Sequence, residues 1–161
     1  MGKVIKYELT EESIEINGVT LFRIKALKKF KNVNVGDLGG SVENKDNLTL
    51  YDTEDSPSKR WIYNDAMVYG QASISENATI SGKVQVYGEA EISGNARISG
   101  NSRIYENAVI SDDVQISDNA EVFGRAMIEE KALVRENAKV YGDAHIFGQD
   151  MVMRKFLKMQ K

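Results

Sequence analysis

The 161-residue chain holds one histidine, His145, and no cysteine. His145 is therefore the one side chain whose ordinary titration lies near neutrality, and the natural candidate for a general base. Such a base needs a partner that orients its second ring nitrogen and a pocket that excludes water. Asp143 and Asp150 are its nearest acidic neighbours in sequence, and nothing around them marks a pocket. The missing cysteines exclude thiolate catalysis, disulfides and cysteine-ligated metals. A single histidine cannot supply a three-histidine zinc site, so no metal is expected. The acidic pairs Asp112-Asp113 and Glu129-Glu130 read as solvated charge at turns. No glycine run has the form of a phosphate-cradling loop. A different chemistry, recognition, is suggested by Tyr69, Tyr87, Tyr105, Phe123 and Tyr141, which recur every eighteen residues. Arg103 stands two residues before Tyr105. Aromatic residues and arginine dominate interface cores. The same column could equally be a ladder of rings that stack on one another. These six residues are the candidate binding positions.

The element that positions them is a repeat. Stepping by six from Ala66 to Ala144 gives fourteen positions, all Ala, Ser or Val. Two residues after each comes Ile or Val, from Val68 to Ile146, without a slip. A spacing of two puts both side chains on one face of a strand, and β-branched residues suit a pleated, packed surface. The rest of each hexad is rich in Gly, Asn, Asp and Glu, the chemistry of corners. Period six excludes a helix. The eighteen-residue period of the aromatics is three hexads, so three sides close one turn of a triangular prism. Turns stacked about 4.8 Å apart would make roughly five coils. No coil could bury its aliphatic side chains alone, so stability must come from stacking.

The ends differ from the middle. Ile14 to Leu21 alternate around Asn17-Gly18, the strongest short-range hairpin signal. Residues 1–60 are expected to form a small β-rich cap, 61–149 the repeat, and 150–161 a short basic amphipathic helix closing the last coil, with Val152, Phe156 and Met159 on one side. Charge is uneven: residues 62–150 carry seven basic and fourteen acidic side chains. That acidity argues against nucleic-acid binding, which needs a basic footprint. No segment has the length of an apolar membrane span, and the N-terminus lacks a signal-peptide core, so the cytoplasm is expected.

The motif Ile74-Ser75-Glu76-Asn77-Ala78-Thr79 and its relatives resemble the hexapeptide repeat of left-handed parallel β-helix proteins. The left hand is implied by that resemblance alone. A right-handed triangular β-helix of the bactofilin type is the alternative. Phe22 to Leu27, Val35 to Gly40, Asn47-Leu48 and Trp61-Ile62-Tyr63 leading into the repeats resemble phage and prophage accessory proteins, often labelled hexapeptide transferases. The resemblance implies a bacterial host and relatives that commonly form trimers. It also implies an enzymatic alternative, an acyltransferase with an acyl-CoA donor and His145 as base. Such enzymes usually carry a loop that breaks the repeat, which is absent between Ala66 and Gln149. The expectation is therefore a cofactor-free, non-catalytic binding protein. It would self-associate and engage a host protein, with inhibition of a host defence or regulatory protein as its concrete form. A sponge that holds a nucleotide signal in clefts between subunits is the third reading.

Overall fold

A computed structural model describes residues 3–53, 57–153 and 156–159. Its body is a triangular solenoid built from hexads. Each hexad contributes a strand, mostly of two residues, and then turns. Strands pair in parallel with those eighteen residues away, as in Gln85↔Arg103, Glu91↔Val109 and Arg97↔Gln115. Three walls result. The first carries Met67–Val68, Gln85–Val86, Arg103–Ile104, Glu121–Val122 and Lys139–Gly142. The second runs from Ser73–Ile74 to His145–Ile146, and the third from Trp61–Ile62 to Gln149–Met153. Backbone bonds join each coil to the next, for example Tyr87 N–H to Ile104 C=O at 3.0 Å.

The interior is the expected one. All fourteen small positions and all fourteen aliphatic positions of the repeat are buried. Each buried Val or Ile contributes roughly 1.5–3 kcal/mol against the entropy of ordering the chain.

The corners follow one rule. The residue two after each aliphatic has positive φ at every hexad from Asn64 to Gly148. Glycine fills only part of this set; the rest are Asn64, Glu76, Glu106, Asp112, Asp118, Glu130 and Glu136. Where glycine stands, the next coil presses on it. A Cβ on Gly88 would lie 2.8 Å from the backbone nitrogen of Glu106.

Parallel stacking begins before Trp61. Strands β1 (Lys3–Ile5), β2 (Tyr7–Ile16), β3 (Val19–Ala26), β4 (Leu38–Val42), β5 (Tyr51–Thr53) and β6 (Trp61–Ile62) form the first part of the chain. β1 pairs antiparallel with β5. β2 and β3 form the hairpin, with Asn17 at φ 51° and Gly18 at φ 80°, both positive as a type I′ turn requires. β3 then pairs antiparallel with β4, and β4 pairs in parallel with the first strand of wall one, Val42 over Val68. Leu48 bridges Ile74 on wall two, and Ile62 lies over Ile80 on wall three. Val42, Leu48 and Ile62 thus form an extra rung. Its third side is displaced by a long excursion through β5.

At the other end the expected helix over 150–161 is corrected. Gln149–Met153 pairs in parallel with wall three, and Phe156–Met159 with wall one. The last coil offers a row of unpaired N–H and C=O groups, and strand pairing satisfies them where a helix laid across them would not. Arg154, Lys155, Gln160 and Lys161 lie outside the described residues. No helix among the described residues is long and apolar enough to cross a membrane.

Candidate functional site

The aromatic column sits where the eighteen-residue period puts it. Tyr69, Tyr87, Tyr105, Phe123 and Tyr141 follow the inner aliphatics of wall one and stack one above the next. Ring centroids are 5.1, 5.0, 4.9 and 5.0 Å apart, and no pair departs from parallel by more than 8°. The spacing is that of the rungs beneath, about 4.8 Å, so the backbone sets it. Stacked pairs of this kind contribute about 0.5–1.5 kcal/mol each beyond burial. The ring faces are therefore used within the chain. What faces outward is the edges, half-buried from Tyr87 to Tyr141. Tyr69 is buried, and Asn17 at the hairpin tip lies beside its hydroxyl.

Charge lines the column on wall one. Glu121 on wall one accepts from the Tyr105 hydroxyl at 3.2 Å. The same carboxylate faces Arg103 at 3.8 Å and Lys139 at 3.7 Å, one rung before and one rung after it. Burial, reinforced by the Glu121 charge, pushes the Tyr105 phenol up to about 12. The six candidate binding residues thus form one contiguous strip along one edge of the prism.

His145 is exposed on the last rung of wall two, over Met127. Its Nε2 lies 3.0 Å from Glu129 Oε1, and its ring tilts against Phe147 at 4.9 Å. Glu129, one rung earlier, is thus the carboxylate partner, rather than the sequence neighbours Asp143 and Asp150. Asp143 instead pairs with Arg125. Among the described residues, no three of His, Asp and Glu converge to hold a metal ion.

Two features escaped the sequence reading. The first is the use of the corner acids. Glu76, Glu106, Asp112 and Asp118 accept hydrogen bonds from the backbone N–H of Gly94, Gly124, Glu130 and Glu136, each one coil further on, at 2.6–3.0 Å. Asn64 does the same for Gly82 at 3.1 Å. Asp112 is therefore not idle surface charge: it ties two coils together at a corner. The signal was available, since every sixth residue from Asn64 is Gly, Asn, Asp or Glu.

The second is a buried ionic cluster in the cap. Arg60 occupies the position that small residues hold elsewhere in the repeat, and is 3% exposed. Its guanidinium donates to the carbonyls of Thr49, Tyr51 and Glu76 and pairs with Asp52 at 2.9 Å. Lys6, 1% exposed, reaches the same carboxylate at 3.4 Å. Its amine also donates to Ser58 O and Oγ and lies over the Phe30 ring at 3.7 Å. Burial outweighs Asp52 and lowers the Lys6 amine to about 8. Burial alone would raise Asp52; Ser58, Lys6 and Arg60 hold it below its ordinary value instead. A cavity of about 330 Å³ opens beside Lys6, bordered by Lys28, Lys29 and Phe30. Every donor nitrogen of Lys6 and Arg60 bonds within the chain, which suits a clamp on the displaced loop better than a reacting centre.

These walls, corners and stacked rungs define a β-solenoid repeat protein. A family model described as YdcK beta solenoid repeat matches residues 90–106, one coil's length in the middle of the prism. No curated protein matches the chain.

Proposed function

We propose that the chain is a non-catalytic binding protein that associates with copies of itself through the aromatic strip of wall one. In this reading it is a cytoplasmic accessory protein of phage or prophage origin that presents the resulting assembly to a host protein. The observation that carries it is the unbroken column of five rings from Tyr69 to Tyr141, stacked to within 8°. Stacking has already removed the rotational freedom of these side chains. A partner that docks on their edges therefore loses little further entropy, the main cost of ordering an interface. Arg103, Glu121 and Lys139 supply charge of both signs beside the rings, which a surface of complementary charge can meet. Three-fold association is the favoured form, on the resemblance to hexapeptide-repeat trimers. The test is Tyr105→Ala combined with Phe123→Ala. It is expected to leave a folded monomer by circular dichroism and to lower the mass in light scattering from oligomer to monomer. A wild-type chain that is monomeric at tens of micromolar refutes the reading, as does a variant of unchanged mass.

The His145–Glu129 contact at 3.0 Å favours a second reading, in which the carboxylate orients the imidazole as a general base for acyl transfer from acyl-CoA. It requires turnover of acetyl-CoA that disappears in His145→Ala. An exposed ring on an open wall gives that base no enclosure, so the binding reading stands first.

A further inference from the structure

Wall three carries a groove that neither reading uses. Its floor and sides are two outward columns: Thr79, Arg97, Gln115 and Leu133, then Ser81, Ser99, Ser117 and Arg135. Together they line a hollow of about 320 Å³, with no carboxylate among the described residues that line it. The two arginines are the informative members. Of the six arginines whose side chains are described, Arg23, Arg60, Arg103 and Arg125 pair with carboxylates. Among the described residues Arg97 and Arg135 have no such partner, and both line this groove. The Nε–H of Arg135 is shut off from solvent and bonds to nothing among the described residues. A buried donor left unpaired costs roughly 1–3 kcal/mol, and no described residue supplies its acceptor.

A guanidinium is a planar fork of donors matched to two oxygens of a carboxylate or phosphate. Arg97 and Arg135 belong to rungs two coils apart, about 9.6 Å along the prism axis. Between them lie the hydroxyls of Ser99 and Ser117 and the Gln115 amide, groups that both donate and accept. The neighbouring corners carry Asp112, Asp118, Glu130 and Glu136. A long polyanion crossing them meets repulsion, whereas a short ligand confined to the wall meets only the two cations. We propose that this groove binds a small molecule with two oxyanion groups, phosphate or carboxylate, joined by a short polar spacer lying along the axis. Each end is held by one arginine, and Ser99, Gln115 and Ser117 contact the spacer. The proposal does not depend on the aromatic strip being an interface.

Isothermal titration of the full chain at low ionic strength tests it. Inorganic tripolyphosphate and galactarate, a hexanedioate with a hydroxyl on each spacer carbon, are the probes, one for each oxyanion source, with acetate as a single-charge control. One site per chain is expected for at least one of the two probes, and the probe that binds identifies the source. Arg97→Gln and Arg135→Gln should each weaken binding roughly tenfold or more. Arg125→Gln, which removes the same charge from a corner outside the groove, should leave binding unchanged. The proposal is overturned if neither probe binds at millimolar concentration, if acetate binds as well as the probes, or if Arg125→Gln weakens binding as much as the groove variants do.

Discussion

The rungs of the prism and the rung inside the cap have the same plan and opposite interiors. Between Ala66 and Ile146 the repeat encloses only Ala, Val and Ile, except for Ser102. The first rung, Val42, Leu48 and Ile62, keeps the aliphatics and, in Gly40, one small residue, but Arg60 is buried where a small residue stands below, and the corresponding position on the second side is the exposed Asp46. Arg60, Asp52 and Lys6 then form a buried ionic cluster. A repeated apolar rung is stabilised by its neighbours above and below, and any one rung resembles the next. A buried ion cluster has no substitute elsewhere in the chain, and removing one member leaves the others charged and unpaired. The cap is thus held by one irreplaceable contact set, the prism by many interchangeable ones.

The largest effect should come from breaking the cluster. Asp52→Ala strands the Lys6 and Arg60 charges in a closed interior and is expected to cost about 3–5 kcal/mol. Trp61, the chain's one tryptophan, is buried in the cap beside Phe30 and Tyr7, so its fluorescence reports that region. Far-ultraviolet circular dichroism reports mainly the prism. In Asp52→Ala the fluorescence transition should move to lower urea than the dichroism transition. Ile104→Ala, a cavity in the mid-prism, should not produce that order. Coincident transitions in Asp52→Ala would mean that cap and prism unfold as one unit, and the contrast drawn above would fail.

A middle-sized effect follows from Lys6. Its folded amine titrates at about 8, below the unfolded range near 10.4. Between these values the unfolded chain binds more protons than the folded one. Its contribution to stability therefore rises as pH climbs from about 8 to about 10. Tyr7 and Tyr105 are shifted upward by burial and act in the opposite sense, but only above about pH 10. Lys6→Met leaves Asp52 paired to Arg60 and removes the lysine slope. Wild type should gain on the order of 1–2 kcal/mol relative to Lys6→Met between pH 7.5 and 9.5 in urea unfolding. Parallel curves would show that Lys6 is charged throughout and that Asp52 outweighs its burial.

The same contrast explains what was legible beforehand. The walls, the burial pattern and the ring column could be read because six and eighteen recur without interruption, and period translates directly into facing. The extra rung was hidden because Leu48 and Ile62 are separated by an excursion and Asp46 and Arg60 break the small-residue column. The ionic cluster has no period at all: Lys6, Asp52 and Arg60 meet only through the folding of β1 against β5. The terminal helix was misread because Val152, Phe156 and Met159 fit a helical stripe, while the pull of an open rung does not show in local spacing. The groove's two arginines were visible as outward residues, but the fact that no described carboxylate pairs with them was not.

The smallest effect probes the prism's interchangeability at its one exception. Ser102 is fully buried, and its hydroxyl donates to the Ser99 carbonyl at 2.9 Å. The other positions in its column are Ala or Val. Ser102→Ala removes the hydroxyl and its hydrogen bond together, so no buried donor is left unpaired. The lost bond, about 1 kcal/mol, is offset by no longer burying a polar group. Stability in urea should stay within about 1 kcal/mol of wild type, a smaller change than either cap variant gives. A loss above about 2 kcal/mol would mean that this hydroxyl fixes the corner between walls three and one, and that the rungs are not equivalent even where the sequence repeats them.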